Sequence, residues 1–314
     1  MAAYILRRIL AFIPTMFVIS FLVFMMIQLV PGDPATLILG NEATATRVAE
    51  LREQMGLDRP LTAQAVEWYR RAFVGDLGRS FYLDRTVVQA VSERLPLTFT
   101  LTAMALVVAL AIGVPAGVMA ALRHNSWVDT AVMAFAVFGL SIPSFVLGLV
   151  LIYYVALPLD FFPTGGFSGF SPSVPEALRY LLLPALSLGA AQASFVARIT
   201  RSSVLEVLGL DYVRTARSKG IGSWALVVRH ALRNALMPIV TVAGLVAGIL
   251  LGGAIVTETV FSLPGVGRLV ISAVQRRDYP VIQGVILFIT FAYLAVNLIT
   301  DLLYVFVNPR LRYG

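Results

Sequence analysis

Six stretches of this sequence are apolar for as long as a bilayer is thick, and that limits the fold more than any other feature. A helix needs about 20 residues to cross about 30 Å of hydrocarbon. The stretches run approximately Ile9 to Val30, Leu97 to Leu122, Thr130 to Leu157, Leu181 to Ile199, Met237 to Val256 and Val281 to Val305. With 59% hydrophobic and 13% charged residues, the chain reads as an all-α integral membrane protein with six transmembrane helices, since helices satisfy their own backbone in lipid. The first stretch follows Arg7 and Arg8 but is too long for a signal h-region and ends in VPGDP, so it is expected to be a retained span.

Charge placement predicts the orientation. With the N-terminus inside, the inner face receives Arg7, Arg8, Arg123, Arg198, Arg201, Arg214, Arg217, Lys219, Arg229, Arg233, Arg310 and Arg312, whereas the short outer loops carry Arg179, Arg268, Arg276 and Arg277. Both termini are therefore expected in the cytoplasm. The net charge of +7 follows from this bias and the lipid bilayer, and no nucleic-acid partner is needed to explain it. Cysteine is absent, so the redox compartment is not legible.

The chain is expected to form a single transmembrane domain over 1–314. It carries an extracytoplasmic helical cap at 31–96, a cytoplasmic loop at 200–236 and an outer interfacial segment at 257–280. In the cap, Thr46 is placed to start a helix carrying Val48, Leu51 and Met55, with Gly56 as its stop. Thr62 can start a second helix, GDLGRS at 75–80 is a turn, and Thr86 to Arg94 gives a third helix. Gly244, Gly248 and Gly252 leave one face of the fifth span nearly bare, either for packing inside the subunit or for a second membrane subunit. Gly113 and Gly117 repeat the spacing in the second span, and Pro14, Pro115 and Pro143 are expected to kink their helices. Within 257–280, Leu269, Val270, Ala273 and Val274 form an apolar stripe that suits a helix at the outer interface; a plain connecting loop is the alternative.

Several chemistries lack their residues. Lys219 in ARSKGIG has no upstream glycine to complete a nucleotide-binding P-loop, so no cofactor is expected in this chain. His124 and His230 lack metal-ligand spacing, and Ser141 has no base at its depth, so neither a metal site nor a catalytic residue is expected. The span interiors hold almost no ionisable residues, which argues against a proton- or ion-coupled transporter. What remains is a membrane path without a motor of its own.

Residues 211 to 238 read DYVRTARSKGIGSWALVVRHALRNALMP and include the only lysine of the chain, Lys219. Asp211 to Lys219 and Ser223 to Ala235 are expected to be helices around Gly220-Ile221-Gly222. Such a basic hairpin either anchors the topology at an anionic leaflet or docks into a protein partner.

At this point the sequence resembles the inner-membrane permease subunit of a dipeptide/oligopeptide-type ATP-binding cassette (ABC) importer. The motifs carrying the resemblance are VPGDP at 30–34, GDLGRS at 75–80, DYVRTARSKG at 211–220, RHALRNALMP at 229–238, TETVFSLPGVG from 257, RDYPVIQG at 277–284 and NPRLRYG at the C-terminus. They follow one another along nearly the whole chain. The coupling motif of such importers has the form E-A-A-x3-G-x9-I-x-L-P; Ala216 and Gly220 fit it, while Arg214, His230 and Arg233 stand in the Glu, Ile and Pro positions, departures shared by the peptide-type branch.

The resemblance implies a type I importer permease fold in a bacterial inner membrane, a second homologous permease subunit, two ABC ATPase subunits that carry ATP and Mg, and an extracytoplasmic substrate-binding protein. It implies that Ala216, Lys219, Gly220, Arg229, His230 and Arg233 couple to the ATPases. Gln192, Ser194 and Thr257 are candidates for the translocation path, although each could equally satisfy a neighbouring backbone carbonyl. Glu258, Pro264, Gly265, Arg277 and Asp278 are candidates for contact with the binding protein. The expected cargo is di- or oligopeptides or similar small solutes. Alternatives are a same-family permease for nickel chelates, glutathione, opines or sugars, or a membrane scaffold that transports nothing.

Overall fold

The structure, a computed structural model, describes residues 2–29, 33–40, 43–170, 173–220, 222, 226 and 232–307. By internal contacts it divides into two compact units. The cap unit comprises Ala2–Pro96 and Gly265–Leu294, and the core unit comprises Leu97–Pro264 and Ala295–Gly314.

The cap unit opens with the long apolar helix α1, Ala2–Gln28. In α2, Pro34–Leu39, proline sits where the missing N–H is not needed, and the Asp33 carboxylate accepts from Thr36 N at 3.1 Å. Helix α3, Ala45–Met55, is capped by Thr44 rather than by the expected Thr46, because it is Thr44 that has the extended backbone and accepts from Arg47 N. Its stop is Gly56, left-handed at φ 69°, as the sequence suggests. Helix α4, Leu61–Phe73, follows Pro60 without a side-chain cap. Helix α5, Val87–Ser92, starts from a full capping box between Thr86 and Gln89.

This cap does not build its core alone. Val87, Ala90 and Val91 pack with Val266, Leu269 and Ala273 of α12, Val266–Arg276, and with Tyr279, Val281, Ile282 and Val285 at the start of α13, Tyr279–Val307. The segments expected as a separate cap and a separate interfacial helix are therefore parts of one packed body. Val274, expected on the apolar stripe of α12, is exposed instead. Gly284 lies so close to Val87 that a Cβ there would overlap it. Gln283 Nε2 reaches back to donate to Val23 O of α1 at 2.9 Å.

In the core unit, α6 spans Leu95–Leu122 and α7 spans Trp127–Ser141. The third apolar stretch is not one helix, because α7 ends at Ser141, just before Pro143, and α8, Ser144–Leu159, leaves it at 95°. Proline removes a backbone donor and crowds the preceding turn, which accounts for the break. Residues 152–156 of α8 are π-helical. Helix α9, Val174–Leu208, is unbroken over 35 residues despite Pro184. It is followed by the short α10, Asp211–Ser218, and by α11, Leu232–Val260. The sequence suggests a loop helix ending at Ala235 and a span starting at Met237; in the structure residues 232–235 belong to the same helix as the span, α11. The expected helix start at Ser223 lies outside the described residues.

Helices α6 and α9 touch through glycines. A Cβ on Gly113 would lie 2.6 Å from Ala193 O, one on Gly117 would lie 3.0 Å from Arg201 N, and one on Gly189 would overlap Ala105 O. The contacting positions rise together along both helices, so α6 and α9 run parallel. Had α7 and α8 formed a re-entrant loop, α9 would start on the face where α6 ended and run antiparallel to it. The bent pair is therefore one broken span. Among the described residues, five helices are individually long and apolar enough to cross a membrane, and the broken pair makes the sixth crossing.

Of the fifth-span glycines, Gly244 packs against Thr300 of α13, whereas a Cβ on Gly252 would meet nothing within 4 Å. At one end of the unit, Arg201 of α9 holds Asp129 of α7 through Nε to Oδ1 at 2.6 Å and Nη2 to Oδ2 at 2.7 Å.

Candidate functional site

The basic stretch begins with α10. Its first turn carries Asp211 and its last Arg217, the arrangement that complements the helix dipole. Thr215 and Ser218 donate their hydroxyls to the helix carbonyls of Asp211 and Arg214, each at 3.0 Å. Val213 is fully buried in a cluster with Val118, Ala121, Val204, Val207, Leu226, Ala235 and Ile239, and Ala216 packs on its edge. The helix is thus seated by one apolar face on the ends of α6, α9 and α11. Arg214, Arg217 and Lys219 remain on the exposed face.

Gly220 adopts φ 82°, a left-handed conformation that side-chain-bearing residues rarely take, so the chain turns immediately after α10. This is the turn expected from the sequence. Arg229 and His230 lie outside the described residues. Arg233 lies in the first turn of α11, and its side chain is outside the described part.

Of the candidate path residues, Gln192 is half-buried on α9, while Ser194 and Thr257 are buried. Gly139 of α7 approaches Ser194 so closely that a Cβ there would overlap its hydroxyl. Thr257 donates to Gly253 O of its own helix at 3.4 Å. No hydrogen bond joins these three among the described residues.

The end of α11 and the segment after it form a buried knot. Glu258 is 0% exposed and accepts from the Thr98 hydroxyl at 2.6 Å. Gly166 N donates to Phe261 O at 2.9 Å, and Leu263 N donates to Glu258 O at 2.8 Å. Phe261 leaves only small residues room beside it, as a Cβ on Gly148 would lie 3.0 Å from its ring. Of the candidates for binding-protein contact, Pro264 and Arg277 are exposed, Gly265 is buried as the N-cap of α12, and Asp278 is 2% exposed. Asp278 accepts from the Ser80 hydroxyl at 2.5 Å. Thr98 and Ser80 were not singled out in the sequence. Ser80 closes the GDLGRS motif, which marked it as part of a turn, and Thr98 had no signal beyond being a small hydroxyl residue in an apolar run.

Outside the spans, hydrogen bonds from Arg70 and then Arg71 hold the Glu67 carboxyl of α4 down at about 2, against 4.5 for an ordinary glutamate.

The comparisons fit this geometry. Residues 113–313 match the family described as "Binding-protein-dependent transport system inner membrane component", and residues 1–102 match the N-terminal family of the same system. A putative peptide transport system permease protein of Brucella abortus is 43% identical over 313 residues, covering 100% of both chains. The glutathione transport system permease protein GsiC of Escherichia coli K12 is also 43% identical over 313 residues, with 100% of both chains covered. Among solved structures, the inward-facing MetNI methionine ABC transporter superposes with TM-score 0.57 at 18% identity, covering 70% of this chain and 97% of that one. That likeness shows the fold, a type I importer permease fold.

Proposed function

This chain belongs to the family of binding-protein-dependent transport system inner membrane components, and from that premise we propose how it works. It is a multi-pass inner-membrane permease subunit of an ABC importer, and ATP hydrolysis resides on separate subunits. In our reading its cargo is a short peptide, glutathione-like peptides included, which is what the names of its full-length relatives support. It pairs with a second, related permease, two ATPases that bind ATP and Mg2+, and an extracytoplasmic binding protein.

The observation that carries the coupling assignment is α10. It is seated by Val213 on the ends of three spans while its cationic face stays exposed, and it ends in a glycine turn. Such a helix can be pushed by a partner and pass the push to the spans beneath it. ATP binding draws the ATPases together and displaces α10, and the spans switch between two packings, each favoured by a different ligand state. Ala216, Lys219, Gly220, Arg229, His230 and Arg233 form the coupling surface in this reading. Gln192, Ser194 and Thr257 are kept as path residues. For the binding protein, Pro264 and Arg277 offer exposed contact, while Glu258, Gly265 and Asp278 shape the segment from inside.

The test is to purify the tagged protein gently from its membrane, identify copurifying chains by mass spectrometry and assay ATP hydrolysis. Two ATPases and a sister permease, with hydrolysis raised by a binding protein, are expected. A chain that stays alone after crosslinking would remove the coupling reading. Both termini are assigned to the cytoplasm; because the chain has no cysteine, single cysteines introduced near each end can be labelled from either side to check this.

A further inference from the structure

Arg201 lies about two turns before the end of α9. Its guanidinium grips Asp129 in a two-point bond of 2.6 and 2.7 Å, and Asp129 also accepts from Asn125 N at 3.0 Å. His124 Nδ1 lies 3.1 Å from both Asp129 Oδ2 and Arg201 Nη2. Asp129 is 4% exposed and Arg201 is half-buried, so this is an ion pair taken partly out of water. Such a pair is rarely a net source of stability, because desolvation consumes most of the attraction. What a forked guanidinium–carboxylate pair does supply is direction, since it fixes one register and one angle between its two elements.

The surroundings say which elements those are. The buried residues of α7 are Asp129 and Ala136. Without the carboxylate, α7 would therefore be held at this end by little that is directional. On the other side, Arg201 sits where α9 is in backbone contact with Gly117 of α6. From there α9 runs on to Leu208, and only Gly209 and Leu210 separate it from α10. At its far end α7 reaches the 95° break and continues as α8.

We propose that Asp129 and Arg201 are positioning residues of the transport cycle, passing the displacement of α10 along α9 to the broken α7–α8 span. The proposal rests on the importer reading above. A helix seated only by apolar contacts can slide past its neighbour, whereas one held by the fork must follow it. Loss of the fork therefore leaves the ATPases turning over while the broken span lags.

The experiment uses the whole complex of this chain, its sister permease, the ATPases and the binding protein, reconstituted in vesicles. Peptide uptake and ATP hydrolysis are read in parallel. Asp129→Asn keeps the shape and removes the charge; it is expected to lower uptake about tenfold while hydrolysis stays within about twofold. If that variant does not assemble, Asp129→Cys with Arg201→Cys is read instead. The chain has no other cysteine, and bridging the two with a bifunctional thiol reagent is expected to raise uptake above the unbridged protein. Wild-type uptake by Asp129→Asn, a fall of uptake and hydrolysis in step, or a bridge without effect would overturn the proposal. A wild-type complex without ATP-dependent uptake would overturn the importer reading and the proposal with it.

Discussion

Ser80 and Asp278, 198 positions apart in the chain, share a 2.5 Å hydrogen bond inside the cap unit. The same Ser80 oxygen accepts from Tyr82 N at 3.1 Å and Leu83 N at 2.9 Å, so one hydroxyl braces the 75–86 turn, which backbone bonds also close, and ties it to the start of α13. Two of the motifs that carry the family resemblance, GDLGRS and RDYPVIQG, are thereby one structure.

Ser80→Ala is expected to destabilise the cap by about 1–3 kcal/mol, because it leaves a buried carboxylate oxygen and two turn N–H groups without their partner. Asp278→Asn keeps an acceptor for Ser80 and should cost less. Thermal unfolding in detergent, together with protease sensitivity at 75–86, checks the order of the two.

The α6–α9 contact makes opposite predictions for two glycines. Gly117→Ala forces a Cβ against the α9 backbone and is expected to cost about 1–3 kcal/mol, whereas Gly252→Ala meets open space and should be close to neutral. The folded, monodisperse yield of each variant after detergent extraction is the measurement. Equal yields would mean that the two spans do not approach as described.

The Glu67 carboxyl is held at about 2 by Arg70 and Arg71, below the ordinary 4.5. A folded-state pKa lowered in this way adds stability that is present above 4.5 and lost as pH falls through about 2. Both arginines are exposed and Glu67 is only half-buried, so the effect is small and salt-sensitive. Hydrogen-exchange protection of α4 in wild type and Glu67→Gln should differ near neutral pH and converge in strong acid.

Gly220→Val places a branched side chain at φ 82° directly after α10. Transport by the assembled importer is expected to fall severalfold while the protein still inserts. Arg229→Glu, which reverses a charge on the same loop, should do likewise. Uptake assays normalised to inserted protein check both, and wild-type uptake by the two variants would remove the coupling assignment.

Much of this was legible locally. The apolar runs mark the spans because hydrocarbon thickness sets their length, Gly56 stops α3 and Thr86 caps α5 because those positions need those residues. Thr44 and Thr46 are two residues apart and equally good caps by type, so only the backbone angle at Thr44 decides between them. The break at Pro143 was expected as a kink, yet its 95° angle depends on what surrounds it. The pairs Ser80–Asp278, Thr98–Glu258 and Asp129–Arg201 join distant segments, and nothing in a local pattern encodes a partner so far away. Arg201 read as one more positive charge near the inner face, and the same charge that sets orientation also closes a half-buried pair. Asp278 and Glu258 read as surface acids suited to a docking partner, whereas both carboxylates are interior groups with hydroxyl donors.

The shared core of the cap unit orders the biogenesis of the chain. Val87 packs against Gly284, Val281 and Val285, yet these residues are made after nearly two hundred others. At ribosomal speeds of about 5–20 residues per second, α5 waits for roughly 10–40 s before its partners exist. Throughout that interval its apolar face has only part of its native cover, from residues such as Leu77 and Leu83, and a chain truncated before α13 never completes it. Translation to the last span is therefore the event that completes the first part of the molecule, and nascent or stalled chains carry a partly uncovered patch that membrane quality control can recognise.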